Sequence, residues 1–432
     1  MASHDRRSFL KMAALASAFS ADSLFNHAHA AEFHGAARAV SHLDAAEVAQ
    51  NEDYWSVIQR AFSVSPQIMN LNNGGVSPSP IVVQQAVERY NQMTNEGPSY
   101  FMWQILDQGR EPLRQKLAHL AGVSAEEIAI NRNTTEALNT LIFGLPLKAG
   151  DEVIGSKFDY PNMMRAYHTR AERDGIVYKQ LSFDFPIEDP EMVVKAYEQA
   201  ITPRTRLIHV THVVNWVGQI MPVRQIADMA HAHGIEVLVD GAHSFGLLDF
   251  KVSDLHCDYF GTSLHKFLSA PIGSGMMWVK QEKIEKIWPL VCGDVHSKDI
   301  RKFEVLGTRS FPIEQGIGEA INFHEGIGGK RKEQRIHYLK SYWAMRARAI
   351  PGVKLHTSLD PRYSCAICAV SIDGVAPGML ASTLFDRYKI HTVGIVYENL
   401  SCIRVTPHVY TTIADLDKFV GALGEIAAGK KP

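Results

Sequence analysis

Two polar stretches, each directly after a short apolar run, carry residue types that could do chemistry together. Asp240 follows Ile235–Val239, and Lys266 comes soon after Asp258–Gly261. Polar groups at strand ends are where open α/β sheets bind ligands. An acid and an amine placed in this way could act together on one cofactor. The carboxylate would keep a pyridinium nitrogen protonated, and the lysine would form a Schiff base with an aldehyde. The alternative is a buried aspartate at a strand end and a surface lysine in a loop.

A candidate anion site lies earlier in the chain, where a short strand over Glu127–Arg132 runs straight into a helix. Asn133, Thr134 and Thr135 stand at the start of that helix. Asparagine and threonine cap helices, and the free N–H groups of a first helical turn attract anions. The pattern therefore predicts phosphate binding, with an ordinary helix cap as the alternative.

Strands and helices alternate between these two features, which predicts a mostly parallel, doubly wound α/β sheet in a large domain over residues 71–306. Gly273–Lys280 is predicted to return as a further strand, antiparallel to the rest. Short strands and amphipathic helices then predict a smaller α+β domain with a connecting helix over residues 307–432. Residues 31–70 are assigned to an N-terminal arm, helical over Ala37–Phe62, and Gly97–Trp103 is predicted to be a loop.

Composition excludes several classes of protein. The 432 residues, 46% of them hydrophobic, can bury a large core, and a net charge of −2 gives no nucleic-acid footprint. No apolar run reaches transmembrane length. Five irregularly spaced cysteines are not a disulfide framework, and we interpret Cys365 and Cys368 as buried strand residues, with a redox or metal role as the alternative. No ligand spacing typical of zinc sites occurs, so no metal is predicted.

The N-terminus has the pattern of an export signal. Arg6-Arg7 lies in a charged segment, Met12–Phe19 is apolar, and Ala28-His29-Ala30 has the form of a cleavage site. The paired arginines resemble a twin-arginine (Tat) signal, which implies the Tat export machinery as a partner, cleavage after Ala30 and a periplasmic or exported mature protein. A mitochondrial-type presequence or a frayed helix is the alternative. Residues 1–30 are left out of the fold prediction.

Taken in order, these motifs resemble pyridoxal-phosphate enzymes of fold type I, in the class V aminotransferase family. That family includes cysteine desulfurases, kynureninase and isopenicillin N epimerase. The resemblance covers roughly residues 71–423 and implies a large domain with a seven-stranded sheet, a small C-terminal domain, and pyridoxal 5'-phosphate as the cofactor. It also implies a small amino-acid-like substrate and no nucleic-acid or membrane partner for the mature protein.

The resemblance assigns roles residue by residue. Lys266 should carry the cofactor, and Asp240 should pair with its pyridine nitrogen. The remaining cofactor contacts that the resemblance implies are His243 and Asn215 at the phenolic oxygen, Thr134, Thr135, Ser263 and His265 at the phosphate, and Tyr160 stacked on the ring.

Two further assignments concern the subunit partner and the substrate. Thr308 resembles a residue that reaches the phosphate of the neighbouring subunit, which implies a homodimer with shared active sites. Arg404 matches the arginine that binds the substrate carboxylate, a group suited to its forked guanidinium. The alternative for Arg404 is a surface arginine on an edge strand.

The sequence distinguishes branches of the family only in part. Tyr388–Leu400 holds no cysteine where desulfurases need one, whereas His265–Gly275 is closest to the isopenicillin N epimerase pattern. Asn215 departs from the epimerase pattern and is more typical of the desulfurases. The prediction is therefore an epimerase-like enzyme that forms a Cα carbanion, whose fate could be epimerisation, transamination or loss of a β-substituent. The alternatives are a periplasmic transaminase or C–S lyase acting on a secreted peptide or siderophore precursor, and a non-catalytic binding protein of the same fold.

Candidate walls of the substrate pocket are polar, small or aromatic residues that could equally lie in the core or on a dimer surface. They are Asn73, Gly74, Tyr100, Trp103 and Tyr410.

Overall fold

A seven-stranded mixed sheet forms the centre of the large domain in the computed structural model, which describes residues 27–429. The strands, numbered along the chain, are β1 (Met69–Asn70), β2 (Ile128–Asn131), β3 (Glu152–Ser156), β4 (Val177–Leu181), β5 (Thr205–Thr211), β6 (Glu236–Asp240), β7 (Tyr259–Ser263), β8 (Gly275–Val279), β9 (Val353–Leu355), β10 (Cys368–Ile372), β11 (Ile390–His391), β12 (Val393–Tyr397) and β13 (Leu400–Val405).

The strand order of the large sheet is β2-β8-β7-β6-β5-β3-β4. β8 pairs antiparallel with β2 and β7, while β3, β4, β5, β6 and β7 pair in parallel. The predicted doubly wound sheet and its antiparallel return strand are therefore confirmed. Central strands such as β6 are apolar on both faces because helices cover both sides of a parallel sheet.

The helices pack on both faces of this sheet and around the smaller domain. They are α1 (His27–Ala39), α2 (Ala45–Ala49), α3 (Glu52–Arg60), α4 (Ile81–Glu96), α5 (Arg110–Ala121), α6 (Thr134–Gly144), α7 (Pro161–Asp174), α8 (Pro190–Gln199), α9 (Val223–Ala232), α10 (Phe311–Ile327), α11 (Gly329–Arg348), α12 (Pro377–Tyr388) and α13 (Ile413–Ala427).

The predicted loop over Gly97–Trp103 is wrong, since the chain is helical there. A short α-helical turn, Pro98–Tyr100, leads into a π-helical segment, Phe101–Leu106, and a 3-10 turn then joins α5. Pro98 occupies the first helical position, which tolerates proline because its missing N–H has no helical acceptor there. The aromatic residues of this stretch give no helical signal in the sequence, although they lie on helical turns in the structure.

The small domain is built on a four-stranded antiparallel sheet in the order β12-β13-β10-β9, with α11, α12 and α13 packed around its core. This agrees with the predicted α+β architecture. Trp343 of α11 meets Phe419 of α13 edge to face, with ring centroids 5.2 Å apart. β1 pairs in parallel with β11, so the end of the N-terminal arm joins the small domain.

The N-terminal arm is three helices instead of one continuous helix. Trp55 of α3 is fully buried, and the guanidinium of Arg335 on α11 lies 5.3 Å from its ring centroid. Arg335 also binds Glu52 at 2.5 Å and donates to the carbonyl of Ala49 at 2.9 Å. These contacts fasten the arm to the small domain. The Tat-signal prediction covers residues 1–30, of which 1–26 lie outside the described residues, while the predicted cleavage segment Ala28-His29-Ala30 lies in α1.

Both cysteines of the C-x-x-C pair are buried, but only Cys368 belongs to strand β10. Cys365 precedes the strand and its thiol lies 3.5 Å from the Gly218 carbonyl. Between residues 27 and 429 no group of three or more histidine, cysteine or acidic side chains is placed to hold a metal ion. None of the described helices is long and apolar enough to cross a membrane.

Candidate active site

Asp240 lies at the carboxyl end of β6, in register with Thr211 of β5. Its side chain is buried, and Oδ1 accepts a hydrogen bond from the Ala242 N–H at 2.9 Å. Burial raises the pKa of this carboxyl, while the nearby His209 and Lys266 act in the opposite direction. A buried carboxylate of this kind gains most from a cationic partner, which a protonated ring nitrogen would supply.

Lys266 follows β7 and meets His243, which follows β6. Lys266 Nζ is 3.1 Å from His243 Nε2, and His243 Nε2 is 2.8 Å from the Gly74 carbonyl oxygen. Burial lowers the pKa of Lys266 to about 8, Asp240 opposes that change, and Arg404 adds to it. Burial and the charges of Lys266 and Arg404 hold the pKa of His243 well below its usual range, so its ring is neutral.

The predicted anion site has the expected geometry at the start of α6. Asn133 is the N-cap, and its side chain accepts from the Glu136 N–H at 2.9 Å. Ser263, at the end of β7, places Oγ 2.9 Å from the Thr134 N–H and 2.7 Å from the Thr134 hydroxyl. The structure thus brings Thr134 and Ser263 together, with Thr135 half-buried beside them. This set of hydroxyls at a helix N-terminus suits a phosphate.

Glycine at position 275 allows this arrangement, because β8 passes directly behind the helix cap. A Cβ at Gly275 would lie 2.6 Å from the backbone N and Cα of Asn133. His265, the remaining predicted phosphate contact, has Nδ1 3.1 Å from the carbonyl oxygen of Ser274. That contact orients its ring, and its role toward phosphate stays a prediction.

Arg404 of β13 reaches from the small domain to the carboxyl ends of the large sheet. It is 8% exposed, which rules out the surface-arginine alternative. Nη1 donates to the Asn215 carbonyl at 3.1 Å and Nη2 donates to Asn72 Oδ1 at 2.7 Å. Burial lowers the pKa of Arg404 to about 10, and Tyr160 opposes that change. The guanidinium is therefore held in one orientation near Tyr160.

Two buried polar atoms at this point have no hydrogen-bond partner among the described residues, Arg404 Nε and Asn215 Oδ1. Buried polar groups are normally paired, so orphaned ones mark a place where a ligand completes the contacts. A donor and an acceptor are thus left open on two residues that are bonded to each other, and the charge of one of them, Arg404, acts on Lys266.

Tyr160 and Thr308 are the predicted site residues that the structure leaves at the surface. Tyr160, the N-cap of α7, is 41% exposed, and its interaction with Arg404 puts it at the rim of the site. Thr308 lies in an exposed loop after Gly307, whose φ of +73° favours glycine. In the described part of the chain, no hydrogen bond or ion pair joins Thr308 to Lys266 or Asp240, and its role in a neighbouring subunit stays a prediction.

The five candidate wall residues separate into three groups. Asn73 and Tyr410 are buried and bonded to each other at 2.6 Å, so they belong to the core. Gly74 lies against the arginine, since a Cβ there would be 3.7 Å from Arg404 Cζ. Tyr100 and Trp103 are 60% and 49% exposed and lie on the irregular helical segment. Trp103 lines a cleft of about 370 Å³ together with residues of the 305–309 loop.

Sequence reasoning missed two residues that contact or support the site. His209 is fully buried in β5, its Nδ1 is 3.1 Å from the Tyr167 hydroxyl, and burial lowers its pKa to about 4, so a neutral ring lies near Asp240. A histidine inside an apolar strand was the available signal. Asn72 anchors Arg404, but its place in a polar glycine-containing loop gave no sign of that contact.

The donor set fits pyridoxal phosphate. A lysine amine with a lowered pKa, a buried carboxylate, a neutral histidine and a hydroxyl-lined helix N-terminus converge at the carboxyl ends of parallel strands. Together with the seven-stranded sheet and the small C-terminal domain, these features define a pyridoxal-phosphate enzyme of fold type I.

The comparisons with known proteins agree with this class. A family model described as aminotransferase class V matches residues 69–419, so the chain belongs to that family. The chain is 28% identical over 393 residues to an isopenicillin N epimerase of Amycolatopsis lactamdurans, covering 86% of this chain and 98% of the relative. It is 29% identical over 352 residues to a probable cysteine desulfurase of Halalkalibacterium halodurans, covering 76% of this chain and 84% of the relative.

Solved structures share the fold at lower sequence identity. A mutant of C-DES with glycine covalently linked to its PLP cofactor superposes with a TM-score of 0.79 at 22% identity, covering 85% of this chain and 99% of C-DES. An apo cysteine desulfurase from Thermococcus onnurineus NA1 gives a TM-score of 0.77, also at 22% identity, with 88% and 98% coverage. The protein is a PLP-dependent enzyme of the class V family, and its relatives catalyse more than one reaction.

Proposed function

We propose that this enzyme removes the Cα proton of an amino-acid or amine-bearing substrate and returns a proton to the opposite face, as an isopenicillin N epimerase-like epimerase. The observation that carries the proposal is the half-buried Lys266, whose amine lies 3.1 Å from His243 Nε2 and whose pKa is shifted by the charges of Asp240 and Arg404. Epimerisation needs no oxidant or second substrate, because one proton leaves Cα and one returns.

The residues divide the work between cofactor and substrate. Asp240 would hold the pyridinium nitrogen, His243 and Asn215 the phenolic oxygen, and the cap around Thr134 the phosphate. When bound, the cofactor supplies an electron sink for the electron pair left at Cα. Thr135, Ser263 and His265 complete the assigned phosphate contacts, with Thr308 of a second subunit and Tyr160 as the remaining assignments.

Lys266 is assigned two tasks, cofactor attachment and proton transfer. With the substrate amine joined to the cofactor, the Lys266 amine would be free to take the Cα proton as a general base. Its pKa of about 8 leaves an appreciable neutral fraction near neutral pH, which a base requires. Neutral His243 lies 3.1 Å away and adds no competing positive charge.

Arg404 is assigned the substrate carboxylate. Its charge lowers the pKa values of both Lys266 and His243, because the guanidinium and a protonated Lys266 would repel each other within the site. A bound carboxylate would relieve that repulsion and use the free Nε donor. We therefore expect substrates with a carboxylate next to the reacting amine.

The segment before Arg404 argues against a desulfurase. β12 and β13 form a hairpin with a two-residue turn, and Tyr397 stacks on Trp216 at 4.6 Å between ring centroids. Tyr397 also donates to the Lys157 carbonyl at 2.9 Å. Cys402 is buried within β13, and burial raises the pKa of its thiol to about 12. A fixed hairpin with a protonated, buried thiol is poorly suited to accept sulfur.

A C–S lyase is the second candidate, because β-elimination needs no cysteine on the enzyme. The Cα proton leaves to the lysine, the Cβ–S bond breaks, and the sulfur departs with the bonding electrons. C-DES, which has this fold, is a cystine C–S lyase. A transaminase acting on a secreted peptide or siderophore precursor is the third candidate, and the export signal motivates it.

One experiment separates the three reactions. The purified holoenzyme is incubated in D2O with a panel of single L-amino acids, cystine and amine-bearing peptides. Epimerisation predicts deuterium at Cα, both configurations by chiral chromatography, and no keto acid. Pyruvate with persulfide from cystine would favour the lyase. Conversion of the cofactor to its amine form by one amino acid, with a keto acid released, would favour the transaminase.

We also propose export and dimerisation. Export by the Tat route with cleavage after Ala30 predicts a periplasmic protein that begins at Ala31, which N-terminal sequencing checks. Replacing both arginines, Arg6→Lys with Arg7→Lys, should keep the protein in the cytoplasm.

The exposed aromatic Trp103 and apolar Val305 share one cleft with Gly307, next to Thr308, which supports a subunit contact there. Light scattering on the purified protein tests the homodimer.

A further inference from the structure

A second buried lysine lies directly behind the turn that carries Lys266. Lys332, in the first turn of α11, is 3% exposed, and Nζ donates to the carbonyl oxygen of Phe267. Within residues 27–429 it forms no ion pair with a carboxylate within 4.0 Å. An amine buried without a counterion costs stability, so its position requires an explanation beyond packing.

The groups that face Lys332 are also unusual for a buried amine. They are His324 of α10 and His408, which follows β13. Burial, together with the charge of Lys332, holds the pKa values of both histidines well below their usual range. Burial alone lowers the pKa of Lys332 to about 7. The hydrogen bond to the Phe267 carbonyl is therefore the polar contact that we assign to the buried amine.

The turn beyond Phe267 is strained. Ser269 has a φ of +59°, a region that residues with a side chain adopt only at a cost in free energy. Its N–H donates to the Lys266 carbonyl at 3.1 Å, which closes the turn. Its hydroxyl lies 3.3 Å from His408 Nε2. Such a conformation persists only where its surroundings determine it.

His408 supports the same turn from the small-domain side. It is fully buried, and its ring stacks on Phe267 with centroids 6.1 Å apart and planes at 11°. It lies four residues after Arg404 in the chain. Lys332 and His408 therefore contact Phe267 and Ser269, in the turn after Lys266, from outside the large sheet.

We propose that Lys332 is a positioning residue for Lys266. By donating to the Phe267 carbonyl it holds, with His408, the turn over residues 266–269 in the shape that keeps the half-buried Lys266 amine beside His243 and partly shielded from water. This inference rests on the assignment of Lys266 as the cofactor lysine under the proposed function. No step of the reaction passes through Lys332.

The chain supplies a matched control on the same helix. Lys340 is fully buried, and its Nζ donates to the Ser358 carbonyl at 3.2 Å and to Ser364 Oγ at 2.7 Å. Burial lowers its pKa as well. It makes no hydrogen bond to the 266–269 turn. Replacing either lysine by methionine removes a buried amine of the same length, but only one replacement frees the Phe267 carbonyl.

The test measures how the full-length apo-protein takes up pyridoxal phosphate as a function of pH, followed by the visible absorption band. Attack on the aldehyde needs the neutral amine, so the midpoint of the rate profile reports the pKa of Lys266, expected near 8 in the unaltered protein. In Lys332→Met the loosened turn lets water reach the amine. The midpoint should then rise by about half a pH unit or more, and the rate at pH 7 should fall about threefold or more.

Lys340→Met should keep the unaltered midpoint, even if both variants lose thermal stability. Identical profiles for Lys332→Met and the unaltered protein, or equal shifts in both methionine variants, would overturn the proposal. If Lys332→Met does not fold, His408→Phe decides, because it keeps the ring stacked on Phe267 and removes the contact to Ser269. If the midpoint of the pH profile rises in His408→Phe, the contacts around the turn position Lys266, as proposed. An unchanged midpoint overturns the proposal.

Lys266→Ala separates this inference from the assignment beneath it. If that variant still gains the band of a lysine-bound cofactor, the assignment of Lys266 is wrong. If it gains none while Lys332→Met behaves like Lys340→Met, the assignment stands and only the positioning role fails.

Discussion

His243 Nε2 lies 2.8 Å from the Gly74 carbonyl oxygen and 3.1 Å from Lys266 Nζ, so one ring nitrogen joins the glycine loop to the reactive amine. The carbonyl can only accept, which places the proton of the neutral ring on Nε2. That N–H can only donate, so Lys266 Nζ bonds to it as a neutral amine that accepts. The loop that approaches Arg404 and the lysine are thereby held in a fixed relation before any ligand arrives.

The first prediction concerns this link. His243→Gln keeps a side-chain donor for the Gly74 carbonyl, whereas His243→Ala removes it. We expect the alanine variant to lose about tenfold or more of the Cα exchange rate and the glutamine variant to lose less, because a buried carbonyl left without a donor destabilises the loop. Deuterium incorporation measures the rates, and equal losses in the two variants would contradict the role of the contact.

The second prediction concerns the amine itself. Lys266→Ala should abolish the absorption band of the lysine-bound cofactor and lower Cα exchange by about a hundredfold or more, the usual contribution of a positioned base. Mass spectrometry after borohydride reduction should place the cofactor on the peptide containing Lys266. Cofactor attached to another lysine, such as Lys332, would refute the assignment.

The third prediction concerns the carboxylate contact. Arg404→Lys keeps a charge but loses the fork and the bond to Asn72, so KM for amino acids should rise about tenfold or more. Asn72→Ala should show a smaller rise, since the arginine remains but is less well oriented. Simple amines without a carboxylate provide the control, and their KM should change little. A parallel loss for such amines would mean that Arg404 serves the fold.

The fourth prediction separates this enzyme from desulfurases. Cys402 is buried in β13 with a raised thiol pKa, so Cys402→Ala should leave turnover within about threefold, apart from a small stability loss. Sulfide release from cysteine in the presence of a reductant is the measurement. A desulfurase activity that disappears in this variant would favour sulfur transfer through Cys402.

The fifth prediction is a pH dependence of stability. The pKa of Lys332 is about 7 in the folded protein and about 10.5 when unfolded. Between these values the unfolded chain binds more protons, so this residue's contribution to stability rises with pH by about 1.4 kcal/mol per unit and is lost as pH falls toward 7. Urea unfolding at several pH values should show a steeper rise for the unaltered protein than for Lys332→Met. If the free energy of unfolding changes with pH equally in both proteins, the Lys332 amine has a normal pKa and this prediction is wrong.

Periodicity and residue type alone were enough for the large sheet, since apolar runs such as Val237–Val239 are buried on both faces and end in polar residues. The same logic placed Asp240, Lys266, Thr134 and Ser263, because the carboxyl ends of neighbouring parallel strands meet at one edge. The loop predicted over Gly97–Trp103 failed for the opposite reason. Its helical state depends on packing near α4 and α10, which its composition does not express.

The sequence by itself determined which residue types could form a lysine, carboxylate and anion site, since strand ends and helix caps are local features. Only the tertiary structure decided what supports them. Asn72 reaches Arg404 across 332 positions of the chain, and Lys332 reaches Phe267 across 65. Contacts of that kind arise when the small domain folds against the sheet, because their partners come from segments that share no local pattern.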